Sequence, residues 1–294
     1  MTRLFVDGAA GTVGLAVQPH LAQLQADGLL SDIIVLKESE RKDAGRRAEA
    51  MAAADIVLLC LPDEVAEEAA KLVAKVNPRA RVLDASAAHR CDDNWVYGLP
   101  EVTGKTEIRV AQRVANPGCF ATGCILLGRP LAYRFKSALQ TPTGKPCMAF
   151  QGVTGYSAGG SRAEVSAEMP YLTQLGTAHR HLPEIERHTG LAPTLTTIVG
   201  GWYQGMLVQA TVPVPVAEVM EAYLEAYDGW FKHITVTQAG SGQRRLTAVS
   251  QNGTNDVHIM VGDQPYGTVV AAAFDNLGKG SAGAAADNLR LMLS

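Results

Sequence analysis

The stretch Asp55 to Leu61, Asp-Ile-Val-Leu-Leu-Cys-Leu, is almost wholly apolar after its first residue. A strand of this kind has no solvent face, so it belongs inside a sheet covered on both sides, as parallel sheets flanked by helices are. Apolar strands recur at Leu4 to Val6, Ile33 to Leu36 and Arg81 to Ala85, with helical segments between them. That order predicts an α/β domain built on a parallel sheet. The first strand runs into Gly8-Ala9-Ala10-Gly11-Thr12-Val13-Gly14 and then a helical pattern through Leu15, Leu21 and Leu24. A glycine-rich turn at this place offers the backbone N–H groups of a helix start to a pyrophosphate. The Gly-x-x-Gly-x-x-Gly spacing is a variant, and alone it would serve close helix–strand packing equally well. Its position after the first strand makes Gly8, Gly11, Thr12, Val13 and Gly14 candidate cofactor residues of a Rossmann-like domain.

The second strand ends in Lys37-Glu38-Ser39-Glu40-Arg41-Lys42. An acidic residue there suits the free ribose hydroxyls of NAD, whereas Ser with Arg or Lys suits a 2′-phosphate. Ser39 and Arg41 favour NADP, while Glu38 keeps NAD open. Asp84-Ala85-Ser86-Ala87-Ala88-His89-Arg90 follows the fourth strand, at the carboxyl edge where ligands of such sheets bind. Ser86 is placed near cofactor or substrate, and Arg90 carries a planar donor fork that fits phosphate or carboxylate. A strand over Arg109 to Ala115 then leads to Val-Ala-Asn-Pro-Gly-Cys-Phe-Ala-Thr-Gly, Val114 to Gly123. The Pro-Gly turn brings Cys119 to the start of a helix expected over Cys119 to Leu127, where unpaired N–H groups favour thiolate over thiol. Of five cysteines, only this one has such a setting.

Beyond the cysteine lies a second glycine-rich loop, Gln151 to Gly160, after the strand Met148 to Phe150. Longer alternating strands follow at Met206 to Val212, Val257 to Val261 and Val269 to Phe274. The helix Val216 to Tyr227 has apolar residues at 3.6-residue spacing. This half reads as an α+β domain whose sheet can be shared across a dimer. A last helix, Ala282 to Leu293, offers Ala284, Leu289 and Leu293 for burial. The net charge of −3 gives no field for nucleic acid, and no run approaches the ~20 apolar residues that span a bilayer. An odd cysteine count with no Cys-x-x-Cys pair argues against a disulfide framework or a zinc site, while Met1-Thr2-Arg3-Leu4 running directly into a strand and the lack of a spanning run lead to the expectation of a cytoplasmic protein.

The runs GAAGTVG, DASAAHR and VANPGCFATG, His179-Arg180-His181-Leu182-Pro183-Glu184-Ile185 and the C-terminal DNLGKGSAG together resemble the N-acetyl-gamma-glutamyl-phosphate reductase family in its shorter form. The resemblance covers nearly the whole chain, and the segment between cysteine and histidines is shorter than in the longer forms. It implies a Rossmann-like NADP-binding domain, residues 1–118 with the C-terminal helix 276–294, and an α+β catalytic and dimerisation domain, residues 119–275. It implies NADPH-dependent reduction of an acyl phosphate to a semialdehyde in arginine biosynthesis, by a homodimer or homotetramer. By the same resemblance Gly155 and Ser157 cover the nicotinamide, Asn276 lies near its carboxamide, and Arg90 and Asn116 hold the substrate.

The residues support that chemistry. A thiolate at Cys119 displaces phosphate to give a thioester, and a histidine near neutrality serves as acid and base. In an extended segment His179 and His181 point to opposite sides, so one of them faces Cys119. His181 is favoured, since Pro183 imposes an extended approach and Glu184 is near enough to orient an imidazole. The alternatives are an aspartate-semialdehyde dehydrogenase, a reductase of the aminoadipyl analogue and a cofactor-binding sensor without catalysis.

Overall fold

Leu4 and Val6 face one side of their strand and Phe5 the other, and all three are at most 2% exposed. This is the two-sided burial that the apolar strands demand. The computed structural model describes residues 2–142, 144–162, 169–240 and 242–294. Two compact units are present: the chain up to Pro117 together with Ser281–Ser294, and Gly118–Gly280. The chain returns to the first unit at Ser281, five residues beyond the position 276 expected from the sequence.

In the first unit six strands, β1 (Arg3–Asp7), β2 (Asp32–Ile34), β3 (Ile56–Leu59), β4 (Arg81–Asp84), β5 (Val96–Tyr97) and β6 (Arg113–Ala115), form a sheet in the order β2-β1-β3-β4-β6-β5. Every pairing in it is parallel. On one face Leu4, Val6, Ile56, Leu58, Leu83 and Val114 pack with Val17, Leu21 and Leu24 of helix α1 (Thr12–Ala26) and with the C-terminal helix Gly283–Met292. On the other, Phe5, Val57, Leu59 and Val82 pack with helices α2 (Ala44–Ala53) and α3 (Asp63–Val76). Leu15 departs from the expected stripe: it is 61% exposed, and Val17 holds the inward position.

The strand expected over Arg109 to Ala115 is shorter and preceded by a helix. After a single helical turn, α4 (Pro100–Thr103), comes α5 (Lys105–Val110), and pairing starts only at Arg113. Ile108 is buried in the core, and the Arg81 guanidinium donates to the carbonyls of Ile108, Arg109 and Ala111. A buried anchor and a cation on the terminal carbonyls favour helix over strand at this point.

In the second unit seven strands, β7 (Cys147–Thr154), β8 (Tyr171–Thr173), β9 (Ala192–Val199), β10 (Met206–Val212), β11 (Ile234–Gln238), β12 (Val257–Gln264) and β13 (Gly267–Phe274), make a mixed sheet ordered β11-β12-β13-β10-β7-β9-β8. β10 alternates between buried and more accessible residues. Its buried face meets helix α6 (Cys119–Arg134), where a Cβ added at Gly123 would lie 2.7 Å from Val208 and 2.8 Å from Phe274. Two more helices, α7 (Leu182–Thr189) and α8 (Val216–Tyr227), complete the unit.

Helix α6 runs on past Leu127, where the sequence suggested its end, through Pro130 to Arg134. An interior proline supplies no N–H to the carbonyl four residues earlier, here that of Leu126. The Tyr227 hydroxyl of α8 donates to that carbonyl at 2.6 Å, and Tyr223 donates to Leu127 O at 2.9 Å. Tyr227 replaces the lost bond, so the helix continues. Among the described residues no helix is long and apolar enough to cross a membrane.

Candidate active site

Gly118, extended at φ −82° and ψ 148°, precedes the first turn of α6, and Cys119 is the first helical residue. No side chain caps this start, and Cys119 is partly exposed. Gly280 lies against it: a Cβ added there would stand 2.9 Å from the Cys119 Cβ, so the π-helical turn Gly278–Ala282 approaches this cysteine only because position 280 has no side chain. Two other cysteines are poor nucleophiles. Burial, with Asp84 and Asp7 nearby, pushes the Cys60 thiol up to about 12, and burial raises Cys124 well above the ordinary thiol range.

His179 and His181 do not point to opposite sides. His181 has helical angles, φ −88° and ψ −7°, Leu182 N–H bonds to His179 O, and Pro183 sits in the first turn of α7 rather than in an extended approach. The turn brings the two imidazole centroids to 4.8 Å, and both rings pack on Phe120, the neighbour of Cys119, at 5.5 and 6.5 Å. Phe120 fits because β7 has glycine at 152, where an added Cβ would come within 2.3 Å of its ring. His181 N–H donates to His179 Nδ1 at 3.1 Å, which places the proton of neutral His179 on Nε2. Burial, and secondarily the Arg180 charge, lowers the His179 pKa to about 4. Glu184, 2% exposed, accepts the Gly118 N–H at 2.8 Å, so its carboxylate holds the residue that precedes α6 and leaves the first-turn amides uncapped.

Asn276 and Ser157 are joined: Asn276 Nδ2 donates to Ser157 Oγ at 2.9 Å, while its Oδ1 accepts Gly205 N–H at 2.7 Å. Gly155 N–H bonds to Gly205 O, and a Cβ at Gly155 would meet Tyr203 O at 2.4 Å. The structure thus brings Cys119, His179, His181 and Glu184 around the starts of α6 and α7, and ties Gly155, Ser157 and Asn276 into one buried network.

In the first unit, Gly11 is the N-cap of α1 without a side-chain cap, leaving the amides of Thr12, Val13 and Gly14 at an open helix start. Gly8 has φ +88°, and an added Cβ would lie 2.3 Å from Cys60 O; one at Gly14 would lie 2.3 Å from Gly8 O. Only glycine permits these approaches. The loop lines an open pocket of about 1020 Å³ together with Glu38, Arg41, Lys42 and Arg47. Glu38 and Arg41 pair at 2.5 Å, and Arg47 pairs with Asp7 at 2.7 Å. Ser39 is exposed in the turn between the second strand and α2. An amide-lined helix start beside cationic side chains fits a dinucleotide carrying an additional phosphate.

Ser86 and Arg90 sit on the turn after β4, both buried. Arg90 Nε donates to Asn116 O at 2.9 Å and its Nη2 to Ala85 O at 3.3 Å. Asn116, 1% exposed, donates to Ser281 O and accepts from Asn288, so its amide fastens the C-terminal helix. Sequence reasoning missed Arg47, Phe120 and the Asp84–His89 pair. Each had a signal: a cation early in the second helix, an aromatic beside Cys119, and an acid closing a buried strand five residues before a histidine.

Comparison with known proteins covers the same ground. Residues 8–111 match the family model described as semialdehyde dehydrogenase, NAD binding domain, and residues 119–276 match semialdehyde dehydrogenase, dimerisation domain. The chain is 41% identical to N-acetyl-gamma-glutamyl-phosphate reductase 2 of Pseudomonas putida, covering 99% of this chain and 96% of the relative. It is 38% identical to the Burkholderia lata reductase of the same name, with the same coverage, and 35% identical to that of Rhizobium etli, covering 99% of each. Among solved structures, aspartate semialdehyde dehydrogenase II of Vibrio cholerae superimposes with a TM-score of 0.74 at 16% identity, covering 99% of this chain and 98% of that one. At that identity the likeness is one of fold.

Proposed function

The chain belongs to the N-acetyl-gamma-glutamyl-phosphate reductase family, and we propose that it reduces N-acetyl-gamma-glutamyl phosphate to N-acetylglutamate 5-semialdehyde with NADPH, releasing phosphate, as a step of arginine biosynthesis. The observation that carries the reading is Cys119 as first residue of an uncapped helix, next to a phenylalanine on which two buried imidazoles rest. The helix start stabilises a thiolate. The sulfur attacks the acyl carbon, the carbon–sulfur bond forms, and the carbon–oxygen bond to phosphate breaks with its electrons leaving on phosphate. NADPH, when bound, supplies the hydride that reduces the thioester. Collapse of the resulting thiohemiacetal returns the sulfur and frees the aldehyde.

His181 is the proton-transfer partner in this reading. His179 is held neutral and its Nδ1 is occupied by the His181 N–H, so it serves to fix the His181 backbone. Glu184 holds Gly118, and through it the geometry of the helix start. Gly8, Gly11 and the first-turn amides of α1 take the cofactor diphosphate, with Arg41 and Lys42 beside the 2′-phosphate. The working form is a homodimer, in which the second unit's sheet contributes a face with Leu207, Val269 and Ala271 not covered by α6. The place of work is the cytoplasm.

Phosphate-dependent NADP⁺ reduction with N-acetylglutamate semialdehyde and with aspartate semialdehyde tests the assignment. The acetylated substrate should be preferred by at least ~100-fold in kcat/KM, as expected of a site that pairs the substrate's polar groups. Equal rates, or a preference for aspartate semialdehyde, would overturn it.

A further inference from the structure

Asp84 closes β4 and has no exposed surface, yet three donors converge on its carboxylate. Ser86 N–H reaches Oδ1 at 2.9 Å, Ser86 Oγ–H reaches Oδ2 at 2.7 Å, and His89 Nδ1 lies 2.6 Å from Oδ2. An ionised carboxylate only accepts, so His89 carries a proton on Nδ1. The other side of the imidazole is fixed too: it stacks on Trp95 with centroids 4.0 Å apart and planes 20° off parallel. Ala88 N–H donates in turn to Ser86 Oγ at 3.2 Å. The turn from Ala85 to Arg90 is therefore anchored on one buried charge, with Asp63 Oδ1 accepting the Ala87 N–H at 2.8 Å beside it, and its last residue is the arginine whose Nε and Nη2 are set on Asn116 O and Ala85 O.

We propose that Asp84 and His89 form a positioning dyad that holds the Ser86–Arg90 turn in the shape that takes the phosphate of the acyl phosphate. This rests on reading Arg90, whose planar donor fork suits phosphate, as the substrate's phosphate ligand in the proposed reaction. A buried carboxylate with three donors is costly to maintain unless all three are present, because each lost donor leaves the charge less compensated. Removing His89 Nδ1–H frees the end of the turn next to Arg90, while Ser86 keeps its own two bonds to the acid. The effect falls on phosphate more than on the chemical step.

Two substitutions separate the dyad from packing. His89→Phe keeps a ring to stack on Trp95 and removes the donor; His89→Asn loses the stack and keeps an N–H near the Nδ1 position. Initial rates with N-acetylglutamate semialdehyde, NADP⁺ and varied inorganic phosphate give KM and kcat, alongside Tm for each protein. The expected result is a rise of about tenfold in the KM for phosphate for His89→Phe, the effect of losing one hydrogen bond to a charged group, with kcat within about threefold and His89→Asn close to the parent. A parent-like KM in His89→Phe, or an equal loss in both variants, overturns the dyad. If His89→Phe does not fold, His89→Asn decides alone, since a tenfold rise there is incompatible with the proposal and a parent-like KM supports it. Arg90→Ala distinguishes the underlying reading: an unchanged KM for phosphate there removes the turn from phosphate binding altogether, whereas a raised KM with parent-like His89→Phe removes only the dyad.

Discussion

Helices α1 and α6 begin in the same way, and they are put to different uses. Each has a glycine N-cap in extended conformation, no capping side chain and no acid in its first turn. At α1 the start stays open, lined by glycines that let an outside anion approach the amides. At α6 the chain supplies its own occupants: the first residue is the sulfur, and the N–H of the cap is taken by buried Glu184. In the proposed reaction one helix start binds an anion and the other activates a thiol, and the difference lies in what is placed at the mouth. Substitution at each mouth should then affect a different observable.

The largest separation comes from Cys119→Ser, which should lower kcat by roughly 10⁴-fold or more while NADPH titration by fluorescence gives the parental Kd. A loss of cofactor affinity would break the division of labour. His181→Asn should cost ~10²–10⁴-fold in kcat as the acid–base group, and His179→Asn less; the reverse order would exchange their roles. Gly8→Ala should raise the KM for NADPH by about tenfold and cost ~1–3 kcal/mol of stability, because a side chain at φ +88° collides with Cys60 O. Alkylation of Cys119 by iodoacetamide should be unaffected in that variant.

A smaller effect is read in pH. His179 is depressed in the folded state to about 4 from an ordinary value of 6.5. The unfolded chain binds the extra proton between those values, so this contribution is complete above pH 6.5 and is lost as pH falls toward 4. Urea midpoints measured across that window should fall less steeply for His179→Asn than for the parent. Smallest is Glu184→Gln, which keeps an acceptor for Gly118 N–H and removes a negative charge from the start of α6. Iodoacetamide should then react a few-fold faster at neutral pH, as expected when a like charge near a thiolate is removed.

Where local rules govern, the sequence could be read closely. The bounds of β10 and α8 are those their periodicities predict, Met206–Val212 and Val216–Tyr227. Burial on both faces of β3, and of Leu4 to Val6 in β1, follows from their wholly apolar side chains. What was not legible depends on partners far along the chain. Nothing near Arg109 announces that Arg81 will hold the carbonyls ending α5. The histidine spacing suggests opposite directions only for an extended backbone, and the turn that replaces it is joined to the start of α7. Ser86 and Asn276 were recognisable as polar residues at useful places, but their bonds to Asp84, Gly205 and Ser157 appear only in three dimensions.

Pro130 gives helix α6 an order of assembly. The hydroxyl that completes its hydrogen-bonded ladder belongs to Tyr227, 101 positions beyond the Leu126 carbonyl it satisfies, on a helix that follows β10. A chain emerging from the ribosome exposes Cys119 and the first turns of α6 well before that tyrosine is made. The second half of the helix gains its missing bond only through a contact of high sequence separation, the kind whose formation slows folding. Chains released before Tyr227 should therefore hold Cys119 on a frayed support, and Tyr227→Phe should show the same weakness in the full-length protein as faster amide exchange along Leu127 to Arg134.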